Sequence, residues 1–83
     1  MNIEHLSFHL HAALDELSRT VAECGSDPEY SEAEFSVAMQ HLYHHLNTAW
    51  NSRALGAERI SQASDEDFNV WGQFPTDLPL MEV

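Results

Sequence analysis

Apolar residues recur at steps of three and four through Ile3, Leu6, Leu10, Ala13, Leu14, Leu17, Val21 and Cys24. At about 100° per residue they fall on one stripe, which predicts an amphipathic helix over residues 3–24. Asn2 can cap its start, Glu4 lies in the first turn where the helix dipole favours a negative charge, and Gly25 offers a left-handed stop. Ser26-Asp27-Pro28 reads as a turn that restarts a helix in one of two ways. Asp27 caps with Pro28 in the first helical position, or Ser31 forms a capping box with Glu34. A second stripe then runs through Phe35, Ala38, Met39, Leu42, Leu46, Ala49 and Trp50, with Tyr43 on its flank, and predicts a helix over residues 28–54. Gly56 either ends this helix or sits inside a continuation that keeps Ala57 and Ile60 in phase. Ser64 caps a short helix over residues 64–71, and the prolines of the 72–83 tail make that segment extended.

Two amphipathic helices joined by a short turn pack antiparallel, so the expected fold is all-α. It is a helical hairpin completed by a short third helix and a tail, in one small domain spanning residues 1–83. The expected core is Leu6, Leu10, Leu14, Leu17, Val21, Phe35, Met39, Leu42, Leu46 and Trp50. Phe8, Ala12 and Val37 lie off these stripes, and Phe68, Trp71, Phe74, Leu78, Leu80 and Met81 make the C-terminal segment apolar. A second covered surface is therefore expected, either under the third helix and tail or in a homodimer that forms a helical bundle.

Charge narrows the functions. Fourteen acidic residues face three arginines, with no lysine, for a net charge of −11 with histidine neutral. Such a field repels nucleic-acid phosphates and anionic membranes and attracts basic protein surfaces. No stretch approaches the roughly 18–20 apolar residues of a membrane span. Glu4, His5, His9 and His11 interrupt the apolar run that a secretory leader would need, and the single cysteine, Cys24, permits no intrachain disulfide. These features place the expectation in the cytoplasm.

Candidate chemistry centres on the histidines. Antiparallel pairing sets His9 level with His45, with His41 and His5 one turn away, a spacing that lets imidazoles share a divalent metal. His9, His41 and His45 are the candidate ligands, with His5 as an alternative; the blander reading is a solvated or carboxylate-paired histidine flank. No other cofactor is implied. Catalysis has little support: Cys24 at a helix C-terminus has its thiolate disfavoured by the dipole, and neither a nucleophile triad nor a glycine-rich phosphate loop is present. The favoured expectation is a non-enzymatic, acidic interaction module that regulates or inhibits a basic protein, including one that binds nucleic acid. Phe8, Trp71, Phe74, Leu78, Asp65, Glu66 and Asp67 are its candidate partner-binding residues. The alternatives are a metal-binding helical protein and a structural subunit without a site of its own.

Overall fold

The computed structural model describes residues 1–79 and Met81, and it is all-α. Helix α1 spans Ile3–Ser26, α2 Glu32–Asn51, α3 Ala57–Ser61 and α4 Asp65–Trp71. The two long helices pack antiparallel against each other, and α4 lies on α2. Leu80, counted above in the apolar tail, lies outside the described residues.

Local chemistry sets the ends of these helices. The Asn2 side chain accepts from the His5 N–H at 3.2 Å and caps α1. Gly25 is not the stop that the sequence suggested: no glycine has a positive φ, and α1 runs through it to Ser26. The stop comes instead from Pro28, which forces Asp27 into an extended conformation, φ −107° and ψ 106°. Asp27 then accepts from the Glu29 N–H at 2.9 Å, building a turn rather than a helix start. Of the two predicted starts for α2, the chain takes the one at Ser31, whose hydroxyl accepts from the Glu34 N–H at 3.2 Å. Helix α2 ends at Asn51, and Gly56 caps the brief α3, which periodicity alone did not separate from α2. Ser64 and Asp67 form a full capping box at the start of α4.

The packing departs from the expected core. The residues buried between the long helices are His9, Ala13, Glu16 and Thr20 from α1 and Ala38, Thr48, Ala49 and Ser52 from α2 and its cap. Leu10, Leu14, Leu17, Val21, Phe35 and Leu46, assigned above to the core, are exposed, while Leu6, Met39, Leu42 and Trp50 are half-buried. The physical reason is close approach. Alanine, threonine and serine let two backbones come together where leucines would hold them apart, so the small residues took the seam. The leucine stripe is left about a quarter-turn round each helix.

Candidate functional site

Three features of the hairpin could carry function: the polar seam between the long helices, the leucine face beside it, and the segment that α4 and the tail lay across α2.

The seam brings two of the predicted histidines together. His9 is buried, and its Nδ1 lies 3.1 Å from Nδ1 of His45. One ring must therefore donate and the other accept, so the contact suits two neutral imidazoles of complementary tautomer. His5 stands edge-on to His9 with ring centroids 4.7 Å apart, and its Nε2 lies 2.8 Å from the Ser52 hydroxyl. Burial, and then the nearby His5, His45 and His44, lower the His9 pKa from 6.5 to about 4. His45 is also lowered, chiefly by burial and then by His44 and His41, with Glu16 opposing.

His41 does not join that pair. Its Nδ1 lies 3.9 Å from a carboxylate oxygen of Glu16, whose side chain is only 10% exposed and is also held by Arg19. The candidate set of His9, His41 and His45 is therefore divided between two contacts one turn apart. Among the described residues, no group of three or more His, Cys, Asp or Glu side chains is placed to hold a metal ion. Sequence reasoning missed Glu16 as a buried residue, because its i, i+3 spacing to Arg19 signals an ion pair on a helix surface and not burial.

Beside the seam, the leucine stripes of α1 and α2 lie on the same side of the hairpin. Arg19, Glu23, Glu34 and Val37 line the groove on the opposite side. In antiparallel helices, stripes offset from the seam in the same rotational sense point the same way. Leu10, Leu14, Leu17 and Val21 thus form one uncharged apolar surface with Phe35 and Leu46, each between 38% and 65% exposed. The tail borders it: Phe74 packs on Tyr43 with ring centroids 5.2 Å apart, and Leu78 lines the same groove as Leu46 and Trp50.

The proposed partner-binding residues separate into two groups. Trp71 is buried and anchors α4, so it is not free to meet another molecule. Asn51 donates to the carbonyls of Trp71 and Gln73 at 2.7 Å each, and Asn47 donates to that of Gly72 at 3.0 Å. These two asparagines, one turn apart on α2, satisfy carbonyls that the end of α4 leaves open. Asp67 is likewise engaged, by its capping box and by Arg59 at 2.8 Å, which holds its pKa down at about 2. Phe8, Phe74, Leu78, Asp65 and Glu66 remain exposed. The tail is tied down where Asp77 accepts from the Trp50 indole N–H at 2.9 Å and meets Arg53 at 3.5 Å.

All three arginines are thus bound to acids of the same chain: Arg19 to Glu16, Arg53 to Asp77 and Arg59 to Asp67. Glu23, Asp27, Glu29, Glu32 and Glu34 crowd the turn end of the hairpin and are all exposed. No helix among the described residues is long and apolar enough to cross a membrane. Comparison with protein-family models, with curated proteins and with solved structures finds no match to the chain.

Proposed function

We propose that this chain is a non-enzymatic protein-interaction module that docks through the leucine face of its hairpin and regulates or inhibits a basic protein partner. The observation that carries the reading is the inversion of the hairpin's packing. Its interior seam is made of small and polar residues, while large apolar side chains of both long helices form an uncharged surface that the described residues leave exposed. Contiguous apolar surface of that kind marks a protein-binding site. Charge supplies the preference for a basic partner. With each arginine engaged by an internal acid, the field outside the molecule comes from uncompensated carboxylates, and these steer cationic surfaces toward it.

Affinity capture from native lysate tests this reading, run with the natural chain and with a Leu14→Asp, Leu17→Asp variant. Captures would be made at about 0.1 M and about 1 M salt, between which the screening length falls from about 10 Å to about 3 Å. The expected result is a small set of basic proteins that is retained at low salt, released at high salt and lost with the variant. A captured set that is neither basic nor changed by the variant would overturn the reading.

A further inference from the structure

We propose that a second copy of this chain occupies the leucine face, giving a two-fold symmetric four-helix bundle whose outer surface is left acidic. This rests on the reading that the leucine face is a docking surface, and it names the occupant: the second copy takes the leucine face, and a basic partner meets the acidic outer surface of the dimer.

Surface area argues first. A folded monomer of 9.4 kDa exposes roughly 5,000 Å² by the usual scaling with mass. This chain exposes 6337 Å², an excess on the order of 1,300 Å². Part of that excess belongs to the extended segment after α4. The leucine face supplies much of the rest: its six large side chains, each 38–65% exposed, amount to on the order of 600 Å² at roughly 200 Å² per fully exposed large residue. Half-buried Leu6, Met39 and Leu42 extend it toward the ~800 Å² per partner of a standard stable interface.

The spacing identifies what fits there. Along α1 the exposed stripe steps through Leu10, Leu14, Leu17, Val21 and Cys24, and along α2 the stripe steps through exposed Phe35, half-buried Met39 and Leu42, and exposed Leu46. Both are alternations of three and four residues, with an average near 3.5, the repeat of a knobs-into-holes seam between helices. A surface carrying that repeat on two antiparallel helices is complemented by another pair of antiparallel helices with the same repeat. A two-fold axis through the face supplies such a pair from the same chain. No charged side chain interrupts the α1 stripe from Leu10 to Cys24, so the pairing buries no unpaired charge there. The small residues already used in the seam leave no comparable surface elsewhere on the long helices.

Salt separates a second copy from a basic partner on the same face. Each copy carries −11, so bringing two together costs repulsion, and salt relieves it. Self-association therefore strengthens as salt rises, whereas binding to a cationic protein weakens.

The test is sedimentation equilibrium of the natural chain over a range of concentrations at about 0.1 M and about 1 M salt. The Leu14→Asp, Leu17→Asp variant runs beside it, with helicity followed by circular dichroism. The expected result is twice 9.4 kDa for the natural chain, with tighter association at high salt, and a helical monomer for the variant. Should the variant unfold, the natural chain still decides the matter, because a dimer melts at a temperature that rises with protein concentration and a monomer does not. A natural chain that is monomeric at every concentration and salt, with a concentration-independent melt, overturns the proposal. If that monomer still loses its captured basic protein on Leu14→Asp, Leu17→Asp substitution, the docking reading stands and only the second copy is wrong. A variant that remains dimeric places the interface elsewhere and overturns the proposal as well.

Discussion

His9 and His45 face each other Nδ1 to Nδ1 at 3.1 Å across the seam of the hairpin, with His9 buried and its pKa lowered from 6.5 to about 4. The contact tolerates two neutral rings or one protonated ring, because a donor and an acceptor remain in both cases. Two protonated rings set donor against donor.

Stability should therefore fall as the solution is acidified. The folded pKa of His9 lies below its unfolded value, so the unfolded chain binds more protons between pH 6.5 and about 4. The stabilisation is complete above the unfolded pKa and is lost as pH drops through that window, at no more than about 1.4 kcal/mol per pH unit for each group. His45 is lowered in the same direction, while His5, His44, His41 and Glu16 supply the surrounding field. Urea denaturation at about pH 7, 6, 5 and 4.5 should show a declining midpoint for the natural chain and a shallower decline for His9→Gln. A midpoint that stays flat from neutral pH down to about pH 5 would contradict burial of the neutral pair.

Thr48 gives a prediction of opposite sign. It is fully buried, and its hydroxyl oxygen has no hydrogen-bond partner among the described residues. A hydroxyl removed from water without a partner costs about 1–3 kcal/mol, and valine fills nearly the same volume without it. Thr48→Val should accordingly stabilise the chain by about 1 kcal/mol, since valine and threonine have similar helix propensities. Comparison of urea midpoints at neutral pH measures this, and a loss of stability would mean that the hydroxyl is bonded in solution.

The sequence and the structure agree where the signal is periodic or local. The three- and four-residue steps marked both long helices, Ser31 and Ser64 announced their caps, and antiparallel register set His9 beside His45. The interior could not be found by following hydrophobicity. Leu14 and Leu17 are the strongest apolar signals on α1, yet Ala13 and Thr20, a fraction of a turn away, are the residues that pack. Close approach selects small side chains, which a count of large apolar residues passes over. The histidine site was half legible for a related reason. Chain register fixes which residues are level, whereas the turning of His41 toward Glu16 depends on an acid that only the folded seam buries.

Trp71 and Phe74 look alike in sequence, and the structure separates them. Trp71 is 8% exposed and packs against Phe68 edge-on with ring centroids 5.5 Å apart, whereas Phe74 is 67% exposed. Trp71→Ala should cost about 3–5 kcal/mol and release α4 from α2. Phe74→Ala should change stability by no more than about 1 kcal/mol, since the ring is mostly exposed and stacks only loosely on Tyr43. Thermal melts of the two variants, with helicity read by circular dichroism, decide the matter, and equal losses would show that α4 is not anchored through the tryptophan.

Gly72 and His44 make the sharpest local test of how α4 sits on α2. A Cβ built at Gly72 would lie 2.8 Å from Nδ1 of His44 and 3.2 Å from the Phe68 carbonyl oxygen. The glycine is not required by its backbone, which has φ −75° and ψ −7°, a conformation open to any residue. Alanine at such a position would ordinarily gain about 0.4–1 kcal/mol by restricting the unfolded chain. The clash should reverse that gain, so Gly72→Ala alone is expected to cost about 1 kcal/mol. His44 is exposed, and trimming it to alanine removes the nearest obstacle while leaving the Phe68 carbonyl in place. In a His44→Ala background, then, Gly72→Ala should become close to neutral, and the double-mutant cycle should return a coupling of at least about 0.5 kcal/mol. If the two substitutions add without coupling, α4 does not approach α2 at this point as closely as the structure places it.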